Sequence, residues 1–225
     1  ECGELGAVRE VRCSCGGTRI VAPVPALVAG KFRVERRLGV GGMGVAYLGT
    51  DLGLGRPVAL KTLSRLSTAA AQRLADEARH MAAVVHPHLA TIYGLEWWRG
   101  SPILVVEYLE RGTLAARIRK GPLSVAEVLR TGQCLALALE HLHKVGLLHR
   151  DVKPSNIAYA RLDDAPKLLD FGLATLIVKE PPDEEDVSVE SSATGRFRVC
   201  NKTVVGTPLY LPPEALNGAD AGPNW

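Results

Sequence analysis

A glycine-rich turn with strands on both sides limits the fold more than any other feature of this chain. Residues 32–50 alternate as two strands joined by Leu38-Gly39-Val40-Gly41-Gly42-Met43-Gly44, in which Gly39, Gly41 and Gly44 make a GxGxxG pattern. Glycines in such a turn let backbone amides approach phosphate oxygens with no Cβ in the way. The pattern also fits a dinucleotide fold, but that fold needs a helix next. Here another strand follows, Pro57-Val58-Ala59-Leu60-Lys61. A lysine ending an apolar strand reads as a phosphate partner. Helical composition over 69–85 carries Glu77, sixteen residues after Lys61, and a buried lysine needs such a countercharge.

A second constellation lies at His149-Arg150-Asp151-Val152-Lys153-Pro154-Ser155-Asn156, with Asp170-Phe171-Gly172 beginning fourteen positions beyond Asn156. A helix should deliver the chain to it. Ser124-Val125-Ala126-Glu127 is a capping box, and Val125, Val128, Leu129, Ala136, Leu139 and Leu142 repeat at helical spacing as the expected buried face. Residues 157–159 and 167–169 read as short strands about the polar turn Asp163-Asp164, so Asn156 and Asp170 flank one hairpin and can meet at one metal. A carboxylate can orient a hydroxyl, an ammonium can neutralise a transferring phosphate, and Asn and Asp oxygens can hold Mg²⁺. Between the two constellations, residues 89–98 and 102–108 are strand-like about the turn Arg99-Gly100-Ser101. Trp97 and Trp98 there read as packing, and Thr113 as the N-cap of a short helix.

Composition narrows the partners. A formal charge of +3 is too small to argue for nucleic acid or a membrane surface. No run of about 18 apolar residues indicates a membrane span, and residues 1–30 lack the pattern of a signal peptide. Five cysteines give no secreted disulfide framework, so a reducing cytoplasm is the simpler setting. Cys2, Cys13 and Cys15 resemble part of a zinc ribbon, although three ligands at loose spacing fit a flexible thiol-bearing lead-in as well. Residues 21–30 read as an extended linker, so 1–30 form a lead-in and 31–225 the main domain. The chain begins at Glu1 rather than Met, which leaves room for sequence upstream.

Taken together, the glycine turn, Val58-Ala59-Leu60-Lys61, Glu77, His149-Arg150-Asp151, Asp170-Phe171-Gly172 and Pro212-Pro213-Glu214 resemble the eukaryotic-type protein kinases, in order from about Phe32 to Glu214. Gly42-Met43-Gly44 and Gly206-Thr207-Pro208 are similar to the bacterial serine/threonine kinases. The resemblance implies an α+β, bilobal fold, with a small β-rich lobe at about 31–109 and large-lobe helices from about 110. It implies that Lys61 holds the ATP α- and β-phosphates and pairs with Glu77, and that Asp151 takes the substrate hydroxyl proton. Lys153 steadies the γ-phosphate, while Asn156 and Asp170 bind Mg²⁺. Glu107 and Leu109 offer backbone groups to adenine beside the gatekeeper Val106, with Leu38, Ala46, Ala59 and Ala158 lining the base. Lys153 and Thr207 favour protein serine or threonine as substrate over tyrosine.

Departures from the family pattern are informative. Ala46 stands where a valine usually roofs adenine, and Ala158 where a leucine usually floors it, so weaker nucleotide binding or room for bulkier analogues is expected. A catalytically impaired nucleotide-binding or scaffolding module is therefore the competing reading. Thr113 and Ser155 are not acidic, so no basic motif is expected in the substrate. The segment from Asp170 to Glu214 is long, with an acidic middle at 180–186 that fits a solvated insert. Arg150 often grips a phosphate on this segment in the family, and Thr203 is the best-placed acceptor. The family's later helices have no counterpart in residues 1–225. The chain thus reads as a piece of a longer product, with apolar surface left exposed on the 125–145 helix.

Overall fold

Alternation of side chains along consecutive β-branched and aromatic stretches builds a six-stranded antiparallel sheet. The computed structural model describes residues 24–41, 44–63, 68–170, 195–199, 202–216 and 222; at 68–70, 73, 74, 77, 195–199, 202–206, 208 and 216 it describes the backbone alone. Six strands, β1 (Leu27–Val28), β2 (Phe32–Gly41), β3 (Gly44–Asp51), β4 (Arg56–Thr62), β5 (Ile92–Trp98) and β6 (Ser101–Glu107), lie in the order β1-β2-β3-β4-β6-β5. Helix α1 (Thr68–Ala82) separates β4 from β5 in the chain. The described residues form two compact units, one with residues up to Ala78 and Ile92–Tyr108, the other with Arg79–Thr91 and the chain from Leu109 on.

Within the first unit the pleat divides labour between two faces. Tyr47, Val58, Leu60, Ile103 and Val105 point to one face and join Val28, Phe32 and Val34 in a buried cluster. Directly opposed pairs Ala46↔Lys61, Ala59↔Val106 and Lys61↔Leu104 place the alternate residues together on the other face. A one-residue slip would exchange the two sets, and the buried cluster fixes the register.

The second unit begins with the segment Arg79–Thr91. Leu89 bridges Leu168, Ala90 N–H donates to the Leu168 carbonyl at 3.0 Å and Leu168 N–H to the His88 carbonyl at 2.8 Å. Helices α2 (Leu114–Ile118) and α3 (Val125–Lys144) follow, capped by Thr113 and by the reciprocal bonds of Ser124 and Glu127. A 3₁₀ turn at Pro154–Asn156 leads into the β7 (Ile157–Tyr159)–β8 (Pro166–Leu168) hairpin. Arg117 of α2 lies over the Tyr159 ring at 3.4 Å and forks onto Asp164 in the hairpin turn. The last elements are β9 (Gly195–Val199), its antiparallel partner β10 (Lys202–Gly206), a 3₁₀ turn at Pro208–Tyr210 and α4 (Pro213–Leu216).

Three expectations change and one hairpin is new. Residues 27–28, read as linker, pair with β2 through Leu27↔Arg33 and Val28↔Phe32, and Val28 is buried. Residues 89–91, read as the start of a strand beside β6, instead belong with the second unit because Leu89 and Ala90 bond to β8. On α3 the expected buried face holds at Leu142 but is turned outward at its start, and the apolar surface expected to be left exposed on this helix is there. Val125, Val128 and Leu129 are exposed, whereas Thr131, Ala138 and Leu142 are buried. The β9–β10 hairpin, unforeseen, follows an alternation Arg196-Phe197-Arg198-Val199 and Thr203-Val204-Val205 that could have marked it. Among the described residues, no helix is long and apolar enough to cross a membrane.

Candidate active site

The glycine turn illustrates how the same residue type serves two purposes. Gly44 sits at φ 138°, and a Cβ there would lie 1.9 Å from the Thr62 carbonyl oxygen, so the fold itself demands glycine. Thr62 holds the spot by bonding both Val45 N–H and Val45 carbonyl through Oγ1, each at 3.0 Å. A Cβ at Gly39 or Gly41 would meet nothing within 4 Å. Among the described residues nothing requires glycine at those two positions, which leaves open backbone for an approaching group.

Lys61, Ala59, Ala46 and Val106 share the sheet face opposite the buried cluster, with Gly39 paired to Ala46 on the neighbouring strand. Leu38 falls at the irregularity between Arg37 and Gly39 in the β2–β3 register. Glu107 ends β6 opposite Val58. Glu77 lies on α1, where the backbone alone is described, so the expected pairing with Lys61 falls outside the described side chains.

In the second unit, the turn after α3 concentrates charge in a dry place. Asp151 is 6% exposed. Its Oδ1 accepts from the Thr207 hydroxyl at 2.7 Å, and its Oδ2 accepts from Asn156 Nδ2 at 2.8 Å and faces Lys153 Nζ at 2.9 Å. Lys153 Nζ also donates to Thr207 Oγ1 at 2.6 Å, closing a triangle. A buried carboxylate needs such partners, because an uncompensated charge there is strongly destabilising. The carboxylate is thereby held by donors on both oxygens in one orientation.

Asn156 is itself buried, and its amide N–H groups are spent on the Asp151 carbonyl and carboxylate. Its side-chain oxygen is left for another partner. Leu169 N–H donates to the Asn156 carbonyl at 2.8 Å, so Asn156 and Asp170 flank the β7–β8 hairpin. Asp170 has φ 61° and Arg150 φ 64°, left-handed conformations rare outside glycine and concentrated at functional sites. Ala158 is buried, clustered with Ala90 and Leu109 and flanked by Leu169.

His149 was not assigned a role by sequence, and it ties the two acidic ends together. Its Nδ1 accepts from Asp151 N–H at 3.2 Å, so Nε2 carries the proton and donates to the Leu169 carbonyl at 2.8 Å. Burial holds its pKa below the ordinary imidazole value. The neutral ring thus links the residue before Asp170 to Asp151. Its only sequence signal is position, beside Arg150-Asp151 at the close of an apolar stretch.

Arg150 is half-buried, its Nε has no hydrogen-bond partner among the described residues, and desolvation lowers its pKa. Thr203 lies on β10 opposite Arg198, with its side chain outside the description. Cys2, Cys13 and Cys15 lie outside the described residues. Among the described residues, no group of three or more His, Cys, Asp or Glu side chains could hold a metal ion. Asn156 and Asp170 would supply two oxygen ligands, a number that suits Mg²⁺, which retains waters and phosphate oxygens around one or two protein groups.

Comparison with known proteins agrees with this geometry. Residues 32–225 match the protein kinase domain. The chain is similar to the serine/threonine-protein kinase pkn2 of Myxococcus xanthus, 36% identical over 205 residues, covering 89% of this chain and 23% of that protein. It is equally similar, 36% over 205 residues, to the serine/threonine-protein kinase PknK of Mycobacterium tuberculosis, of which it covers 17%. It is 32% identical over 202 residues to PknL of the same species, covering 88% of this chain and 46% of the relative. The chain therefore spans less than half the length of each of these curated relatives. With the kinase domain matched over most of its length, the chain belongs to the protein kinase family.

Proposed function

We propose that the chain carries the phosphate-transferring site of a serine/threonine protein kinase, moving the ATP γ-phosphate to serine or threonine hydroxyls of proteins. The carrying observation is the Asp151 carboxylate fixed by Thr207, Asn156 and Lys153, with Leu169, the residue before Asp170, bonded to the Asn156 carbonyl. The substrate hydroxyl oxygen bonds to the γ-phosphorus, the bond from that phosphorus to the bridging oxygen breaks, ADP leaves and the hydroxyl proton passes to Asp151. Thr207 and Lys153 orient the carboxylate, and Lys153 also faces the transferring group. Mg²⁺, when bound through Asn156 and Asp170, neutralises phosphate charge. In the first unit, Lys61 meets the α- and β-phosphates with Glu77 as its countercharge, the open backbone at Gly39 and Gly41 receives phosphate oxygens, and Glu107 addresses adenine; Leu109, at the start of the second unit's main stretch, is its partner in that role.

Radiolabelled phosphate transfer to a protein substrate tests this. Wild-type chain transfers label and Asp151→Asn loses about 10²–10⁴-fold of the rate while still binding ATP. Equal rates in both would sink the assignment. Binding of ATP with no transfer by either would favour the scaffolding reading, which the alanines at 46 and 158 support.

Regulation belongs to the same reading. A desolvated Arg150 with an unpartnered Nε is suited to a phosphate on the 170–214 segment, with Thr203 as acceptor. Thr203→Ala should then lose the activation that preincubation with ATP gives; undiminished activation removes Thr203 from the scheme. Zinc at Cys2, Cys13 and Cys15 is a separate proposal, read out by metal analysis of the purified chain. An odd cysteine count fits a reducing cytoplasm.

A further inference from the structure

Three imidazoles meet where the segment between α1 and β5 lies on α3. The His86 ring stacks on His141 of α3, with centroids 5.2 Å apart and planes at 24°, and meets His88 edge-on at 5.6 Å. His86 Nδ1 accepts from His88 N–H at 3.2 Å, so that nitrogen is unprotonated and the ring is neutral. His88 Nδ1 lies 3.0 Å from the Pro166 carbonyl, which can only accept, so this nitrogen carries its proton and ties the ring to β8. His86, His88 and His141 are all half-buried.

We propose that His86, His88 and His141 form an acid-sensitive clasp that fastens the 86–90 segment to α3 and β8. Protonation of His86 removes the acceptor that holds His88 N–H and sets a cation against two further imidazoles. From α3 the group facing His86 is His141, from its own segment it is His88, and β8 contributes the Pro166 carbonyl to His88. Glu140, one residue from His141, is engaged by Lys144 at 2.7 Å. Burial lowers the pKa of His86, and the imidazoles of His141 and His88 add to it.

The sign follows from linkage. A histidine whose folded pKa is depressed takes up fewer protons folded than open, so the closed clasp is at full strength above about pH 6.5 and weakens as pH falls through the folded value. The clasp matters because its backbone partners, Ala90 and Leu168, form the bonds that seat the segment on β8, two residues before Asp170.

Amide exchange of the full chain tests the proposal without reference to catalysis. Protection factors of Ala90 and Leu168 N–H, corrected for intrinsic rates, are followed from pH 7.5 to 5.5. Each proton taken up on opening lowers protection by up to about tenfold per pH unit below pH 6.5. His149 titrates in the same direction nearby, so the variants carry the test. His141→Phe keeps a stacked ring without a charge, and His88→Asn keeps a side-chain donor for Pro166 without an imidazole. Either removes one imidazole from beside His86 but leaves His86 in place, so each should make the pH dependence of both amides shallower, while leaving protection at pH 7.5 within about threefold. A wild-type profile that does not change with pH, or one that both variants reproduce unchanged, overturns the clasp. Should one variant fail to fold, the other decides on the same criterion.

Discussion

The sheet face that carries Lys61 and the turn that carries Asp151 hold charged groups by opposite means. Lys61 owes its place to backbone: it sits on β4 between β3 and β6, and its direction follows from a pleat whose other face is a buried cluster. Asp151 owes its place to side chains, with Thr207, Asn156 and Lys153 reaching its two oxygens from as far as 56 positions along the chain. The first arrangement tolerates changes in polar chemistry and is sensitive to volume. The second tolerates changes in volume and is sensitive to donors and acceptors.

Asp151→Asn is the sharpest break of that comparison. It keeps the shape of the turn but takes the countercharge from Lys153, so its effect should appear chiefly in transfer rate, about 10²–10⁴-fold, with only a modest fall in the unfolding midpoint. A midpoint that collapses with the activity would mean that the triangle of Asp151, Thr207 and Lys153 is chiefly structural.

Glycines in the first unit make the volume side of the comparison. Gly44→Ala places a Cβ on the Thr62 carbonyl in a backbone conformation that side chains rarely adopt, and should lower stability by about 2–4 kcal/mol in denaturant unfolding. Gly39→Ala meets no atom and should cost less than about 1 kcal/mol of stability. Any effect of Gly39→Ala should instead appear in nucleotide affinity. Equal stability losses at the two positions would remove the distinction drawn between them.

Thr207→Val then tests the donor side at almost constant volume. Valine leaves Asp151 Oδ1 and Lys153 Nζ each short of one bond, at about 1–3 kcal/mol in stability or in transition-state free energy. Thr207→Ser, which retains the hydroxyl, should recover most of it.

How far each region could be read from sequence follows the same division. Period-two alternation places β2 to β4, and a strand after the glycine turn rules out a dinucleotide fold before any contact is known. The Ser124–Glu127 cap fixes where α3 starts, but its apolar residues occupy more than one side. Burial is then decided by long-range contacts such as Thr131 with Tyr159, 3.5 Å between their oxygens, which periodicity does not contain. Residues 89–91 look like strand because they are apolar, yet they pair with β8, 78 positions away between Ala90 and Leu168. In the Asp151 turn, residue types and spacing identify the participants, whereas the triangle of bonds and the tautomer of His149 depend on distances that only the folded chain supplies.

The two alanines that depart from the family pattern bring both regions into one experiment. Ala158 is 3% exposed and clustered with Ala90 and Leu109, so Ala158→Leu should overpack that cluster and lower stability by about 1–3 kcal/mol. Ala46 is half-buried on the sheet face with Lys61, and Ala46→Val adds apolar surface where a bound base can cover it. Titration with ATP should show tighter binding by about 1 kcal/mol, roughly fivefold, with little change in stability. If Ala46→Val instead destabilises the chain and Ala158→Leu improves ATP binding, volume is scarce in the sheet and spare in the second unit. The contrast between a backbone-built face and a side-chain-built turn would then have to be reversed at those two positions.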